Sequence, residues 1–139
     1  VELKLEIMVK FKDIAQYYLG TGLEVQTGSN SANNIKKSII TGLTQSNKVG
    51  YISVKNHNNT HIGFIDDCKP LLRSLDSLTK PITVKGYNDG KEFVPLDEIQ
   101  QYDINAENIL LQQFWIVNRL LQWHFNVFNL PETEYIKID

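Results

Sequence analysis

The residues able to do chemistry are few, and most lie near the middle of the chain. His57 and His61 stand four apart in HNNTH. On one helical turn two imidazoles at that spacing would face the same way and could share a zinc ion. The Asn58-Asn59-Thr60 between them favours a turn instead, with both rings in solvent. Asp66 and Asp67 follow, with Lys69 close behind. Paired carboxylates are hard oxygen ligands that would suit a magnesium-dependent, nuclease-like site. A metal centre would therefore draw on His57, His61, Asp66 and Asp67. The simpler reading of Asp67 is a cap for a short helix that Pro70 would open, since proline's missing N–H costs nothing at the first helical position. Cys68 is the only cysteine. It is either a nucleophile awaiting a histidine or a small buried hydrophobe.

None of these groups amounts to a catalytic signature. The chain has no phosphate-cradling glycine motif and no nucleophile elbow. No catalytic residue is assigned and no cofactor is expected. Lys36, Lys37, Lys69, Arg73, Lys80 and Lys85, with Tyr51 and Tyr87 between them, would suit a single strand of nucleic acid if they shared a face. The default for such lysines is a scattered, solvated set. A formal net charge of −2 gives no global attraction for nucleic acid.

Length and composition place these residues in an ordinary globular setting. The chain has 139 residues, 42% hydrophobic and 22% charged, which suits one domain spanning 1–139. A single cysteine allows no internal disulfide and fits a reducing compartment. No window reaches the run of about 18 uncharged apolar residues read as a membrane span. Residues 1–7 alternate without an apolar leader core, so they read as an edge strand or as an extension before Met8. These features point to the cytoplasm and to no contact with membrane.

The elements that would position the candidates follow from periodicity. Phe11, Ile14, Ala15 and Tyr18 make a helical stripe, stopped by Gly20 and Gly22. Leu23–Gln26 is a short strand, and 27–34 is a loop. An antiparallel meander follows, with strands over 37–43, 49–54 and 61–65. Ile82–Lys85 and Glu92–Val94 pair around Asn88-Asp89-Gly90. Pro95 opens a short helix, and 135–138 closes the chain as a strand. The periodicity also predicts one long helix from Ile104 to Leu130, ended by Pro131. On its wheel Asn105, Asn108, Gln112, Arg119, Gln122 and Asn126 form a narrow polar strip. The apolar arc covers over half the circumference, wider than the stripe of about 100° that a surface helix needs. Such a helix is wrapped by its own domain or buries a second face in a partner. Trp115 falls within the polar strip and, with Arg119 and Gln122, marks a partner-binding rim. His124 falls in the apolar arc as a neutral core histidine. The expected fold is α+β: an antiparallel sheet or meander packed on the long C-terminal helix, with two or three short helices.

Three segments resemble a known group when taken in order. They are IAQYYLGTGLEV over 14–25, IDDCKPLLRSLDSLT over 65–79 with EFVPLDEI over 92–99, and LLQWHFNVFNLPETEYIKID over 120–139. The best agreement is at YLGTGL, CKPLLR-SL-SLT and LLQWHF-VF-L. Together they are similar to small proteins of unknown function from phages and prophages of Bacteroides-type bacteria. The final ETEYIKID departs from a more apolar, glycine-containing ending. The resemblance implies an accessory product of a mobile element and carries over no activity and no functional residue. The expected role is a non-enzymatic binding or adaptor module with a protein partner or a second copy of itself. A metal-dependent factor that processes or binds nucleic acid is the alternative, and a structural virion component is a third reading.

Overall fold

A computed structural model describes residues 9–27, 36–46, 49–56 and 59–139. The expectation for residues 1–7 and the His57 ligand lie outside these residues.

The chain begins with a helical turn, α1 (Phe11–Ile14), that tightens into a 3-10 segment, Ala15–Tyr18. Its buried residues are Phe11, Ile14, Ala15 and Tyr18, so the apolar stripe is the packed face. Among the described residues six strands follow: β1 (Glu24–Thr27), β2 (Lys36–Ser46), β3 (Val49–Asn56), β4 (Asn59–Phe64), β5 (Cys68–Leu72) and β6 (Ile136–Lys137). They form one sheet in the order β4-β3-β2-β1-β5-β6. The first five pair antiparallel, while β6 lies parallel to β5, so the sheet is mixed. A register shift between Ile40 and Gly42 marks an irregularity in the long strand β2.

The link between β4 and β5 fixes the shape of the sheet. These strands are four positions apart, about 19 Å in a flat sheet at ~4.8 Å per strand. They are joined only by the three-residue 3-10 turn Ile65–Asp67. The four residue steps from Phe64 to Cys68 reach at most about 14 Å. The sheet must therefore coil until its far edge approaches β5. Leu23, Val25, Ile40, Ile65 and Leu72 are buried in the core cluster, along with the α1 stripe.

No helix spans 104–130. The region divides into three pieces: a turn over 105–108, a 3-10 segment Ile109–Leu111 and a nine-residue helix, α3 (Phe114–Gln122). Each break has a local cause. The Asn105 side chain accepts the N–H groups of Glu107 and Asn108, and Asn108 accepts that of Asn105. These side-chain bonds take the backbone donors a helix would have used. Gln112 and Gln113 are extended, at ψ 163° and 147°. At the other end the His124 N–H donates to the Leu121 carbonyl and the Phe125 N–H to that of Leu120. With His124 at φ +62°, this is a Schellman stop with histidine in the left-handed position. The over-wide apolar arc arose from adding separate segments that bury separate faces.

Two smaller expectations also change. Pro70 opens no helix but sits in β5 opposite Val25. Strand β6 pairs only at Leu71 and Leu72, so Pro70 has one strand neighbour and its missing donor leaves no ladder bond unmade there. Asp67 consequently has no following helix to cap. The hairpin signal at Asn88-Asp89-Gly90 does fold the chain back: Ile82 and Phe93 exchange both backbone bonds, at 2.8 and 3.0 Å. Asn88, Asp89 and Gly90 all take positive φ, the left-handed region these residue types tolerate best. A short helix, α2 (Pro95–Ile99), then begins at Pro95.

Candidate functional site

Residues from three distant parts of the chain, near Tyr18, Arg73 and Phe125, meet as a clasp. The Tyr18 hydroxyl donates to the Phe125 carbonyl at 2.5 Å. The Arg73 guanidinium donates to the carbonyl of Trp123 at 2.6 Å and to that of Thr83 at 2.9 Å. The Arg73 backbone also pairs on both sides, accepting from Asn126 N–H and donating to the His124 carbonyl. Residues 18–21, 73 and 123–126 are thus tied by polar bonds that hold chain to chain. Burial pushes the Tyr18 phenol well above its ordinary value, so it remains a neutral donor. Burial also lowers Arg73, with Asp139 acting in the opposite direction.

His124 belongs to the same clasp. Its Nε2 lies 2.7 Å from the Thr21 carbonyl. A carbonyl can only accept, so Nε2 carries the proton. Burial lowers its pKa most, and Arg73 adds to this; the Thr21 bond and Glu24 act against it. The ring is a neutral structural donor. Trp123 is 1% exposed and stacks edge-on against Tyr87, with Phe93 also against it. Its Nε1 has no hydrogen-bond partner among the described residues.

Of the candidate chemical residues, Asp66 and Asp67 lie in the turn after β4, and Cys68 and Lys69 lie in β5. His61 lies in β4, in register with Val54. Asp66 is exposed in the β4–β5 turn, beside Lys69 in one cavity. Among the described residues no group of three His, Cys, Asp or Glu could hold a metal. Cys68 is 6% exposed, with its sulfur 3.5 Å from the Phe64 carbonyl. Lys69 and Lys80 fall in different cavities, and Arg73 is committed to the clasp.

A different surface stands out. Leu110, Leu111, Phe114 and Trp115 are 54%, 84%, 82% and 51% exposed, four large apolar side chains within six positions. The extended Gln112-Gln113 step turns Leu111 and Phe114 outward. The Trp115 indole donates to the Gln113 side chain at 2.8 Å, which fixes the ring at the rim. The Arg119 guanidinium lies 5.5 Å from the Tyr87 ring centre and 6.0 Å from that of Trp123. Gln122 is exposed at the end of α3. A helical wheel places Trp115 in the polar strip but Leu110 and Phe114 on the apolar arc, whereas both are exposed. The signal that locates them is the adjacent Gln112-Gln113, a polar pair that interrupts the apolar run.

No family model, no curated protein and no solved structure matches this chain. Among the described residues no helix is long and apolar enough to cross a membrane.

Proposed function

We propose that the protein is a non-enzymatic binding module that engages a protein partner through Leu110, Leu111, Phe114 and Trp115. The observation that carries this reading is the exposure of four large apolar side chains in one short stretch. Monomeric proteins rarely leave large apolar patches open unless they bind something. Tryptophan and phenylalanine are enriched among the residues that dominate binding energy. The polar step at Gln112-Gln113 and the Trp115–Gln113 bond hold the patch in a fixed shape, which lowers the ordering cost of binding. The phage-like segments support a role as an accessory protein in the cytoplasm of a bacterial host.

The test compares the native protein with Leu111→Ser/Phe114→Ser/Trp115→Ala as bait in host extracts. A protein held by the native chain and released by the variant supports the reading. Identical captures by both, with equal folding, would sink it. Light scattering after size exclusion, at several concentrations, separates a second copy from a foreign partner.

A further inference from the structure

A cavity of about 290 Å³ lies between α1 and the β4–β5 crossing, away from the apolar patch. Its charged residues come from three distant parts of the chain: Lys10 and Lys12, Asp66 and Lys69, and Glu134. Glu134 is committed, since its Oε1 accepts the Phe11 N–H at 3.2 Å. None of the three lysine ammonium groups has an ion-pair or hydrogen-bond partner among the described residues. The floor is apolar and closed, with Phe11, Ile65 and Cys68 at 2%, 5% and 6% exposure. A low-dielectric wall behind charges of mostly one sign focuses their field into the opening.

We propose that this cavity binds a phosphate group held by Lys10, Lys12 and Lys69. Lysine is a compact point charge with three donors, suited to phosphate oxygens approached from several directions. Three such groups outnumber the carboxylates, so the site is net positive on a chain whose net charge is −2. A volume near 290 Å³ has room for a phosphate and part of what bears it. The phosphate could belong to a small compound or to a nucleic-acid backbone, and the experiment separates the two.

The full chain is titrated with pyrophosphate, and separately with a short single-stranded oligonucleotide, while amide shifts are followed by NMR. Binding at the site moves residues 10–12, 65–69 and 134. Each of Lys10→Gln, Lys12→Gln and Lys69→Gln weakens binding about two- to fivefold, the range of an exposed charge contact. Asp66→Asn tightens it by a similar factor, because it removes the one uncommitted carboxylate. All four side chains are exposed, so the melting temperature stays within about 2 °C. Pyrophosphate binding alone identifies a small phosphate compound. Tighter oligonucleotide binding that falls steeply with salt identifies a nucleic-acid backbone. The proposal is overturned by no shift with either probe at millimolar concentration, or by equal affinity of the native, Lys69→Gln and Asp66→Asn proteins.

Discussion

Replacing Arg73 with methionine tests whether the clasp is what holds β5 to the 123–126 segment. Methionine keeps an unbranched apolar stem, so the change isolates the guanidinium bonds from the packing of the chain. Hydrogen bonds from charged groups contribute about 1.5–3 kcal/mol each where they are shielded from water. The bond to the Trp123 carbonyl is part-buried and falls in the lower half of that range. The bond to the Thr83 carbonyl is exposed and contributes well under 1 kcal/mol. The expected loss is therefore about 2–3 kcal/mol. Unfolding entropy of about 2.1 cal/mol/K per residue over 139 residues converts each kcal/mol to about 3.4 °C. Arg73→Met should lower the melting temperature by roughly 7–10 °C, read by circular dichroism and checked by urea midpoint. Combining it with Tyr18→Phe should cost less than the two single changes added together. Both residues hold the same 123–125 segment, and neighbours in one network are not additive. A drop of less than about 2 °C for Arg73→Met would refute the reasoning, because the guanidinium bonds would then contribute almost nothing.

Tyr18→Phe alone should cost about 1 kcal/mol, roughly 3 °C. The Phe125 carbonyl keeps a second donor in Val127 N–H and is not orphaned, so a loss above about 3 kcal/mol would contradict the assigned bonding. His124 makes stability depend on pH in one direction. Its folded pKa is depressed by burial, so above the ordinary value of about 6.5 both states are neutral and nothing is lost. As pH falls through the ordinary value the unfolded chain takes the proton first, and native stability declines towards the lower folded pKa. Melting scans from pH 7.5 to 5 should show a smaller decline in His124→Asn than in the native protein. Equal slopes would rule His124 out as the cause. Leu111→Ser and Phe114→Ser should each change stability by less than about 0.5 kcal/mol, because both side chains lie in water, while removing partner binding. A loss of several degrees would mean that the patch is covered within the protein.

Much of the local structure was legible in the sequence because it depends on near neighbours. The stripe Phe11, Ile14, Ala15 and Tyr18 is the buried face of the first helical turn, since spacing alone decides which side chains share a face. The meander strands lie where alternation and turn residues put them, and Asn88-Asp89-Gly90 turns the chain because those residues tolerate left-handed backbone. The long helix was misread for a physical reason. A wheel sums apolar residues without asking whether the backbone stays helical between them. The asparagine side-chain bonds at 105–108 and the extended Gln112-Gln113 step broke it. Of the candidate patch the sequence singles out only Trp115, because Leu110 and Phe114 fall on the apolar arc of a continuous helix and are exposed once that helix is broken.

The sequence by itself determined the buried stripe of the first helical turn and the turn at Asn88-Asp89-Gly90, because spacing and backbone tolerance act over a few residues, but not β5 at Pro70 or the breaks within 104–130. Tertiary structure alone decided that Lys10, Lys12 and Lys69 share a cavity and that Arg73 is committed to carbonyls of distant segments. It also decided that the sheet coils, because a three-residue crossing must join strands four positions apart. These outcomes depend on contacts between residues far apart in the chain. Their cost in chain entropy is offset only when the whole core forms, so no local pattern announces them.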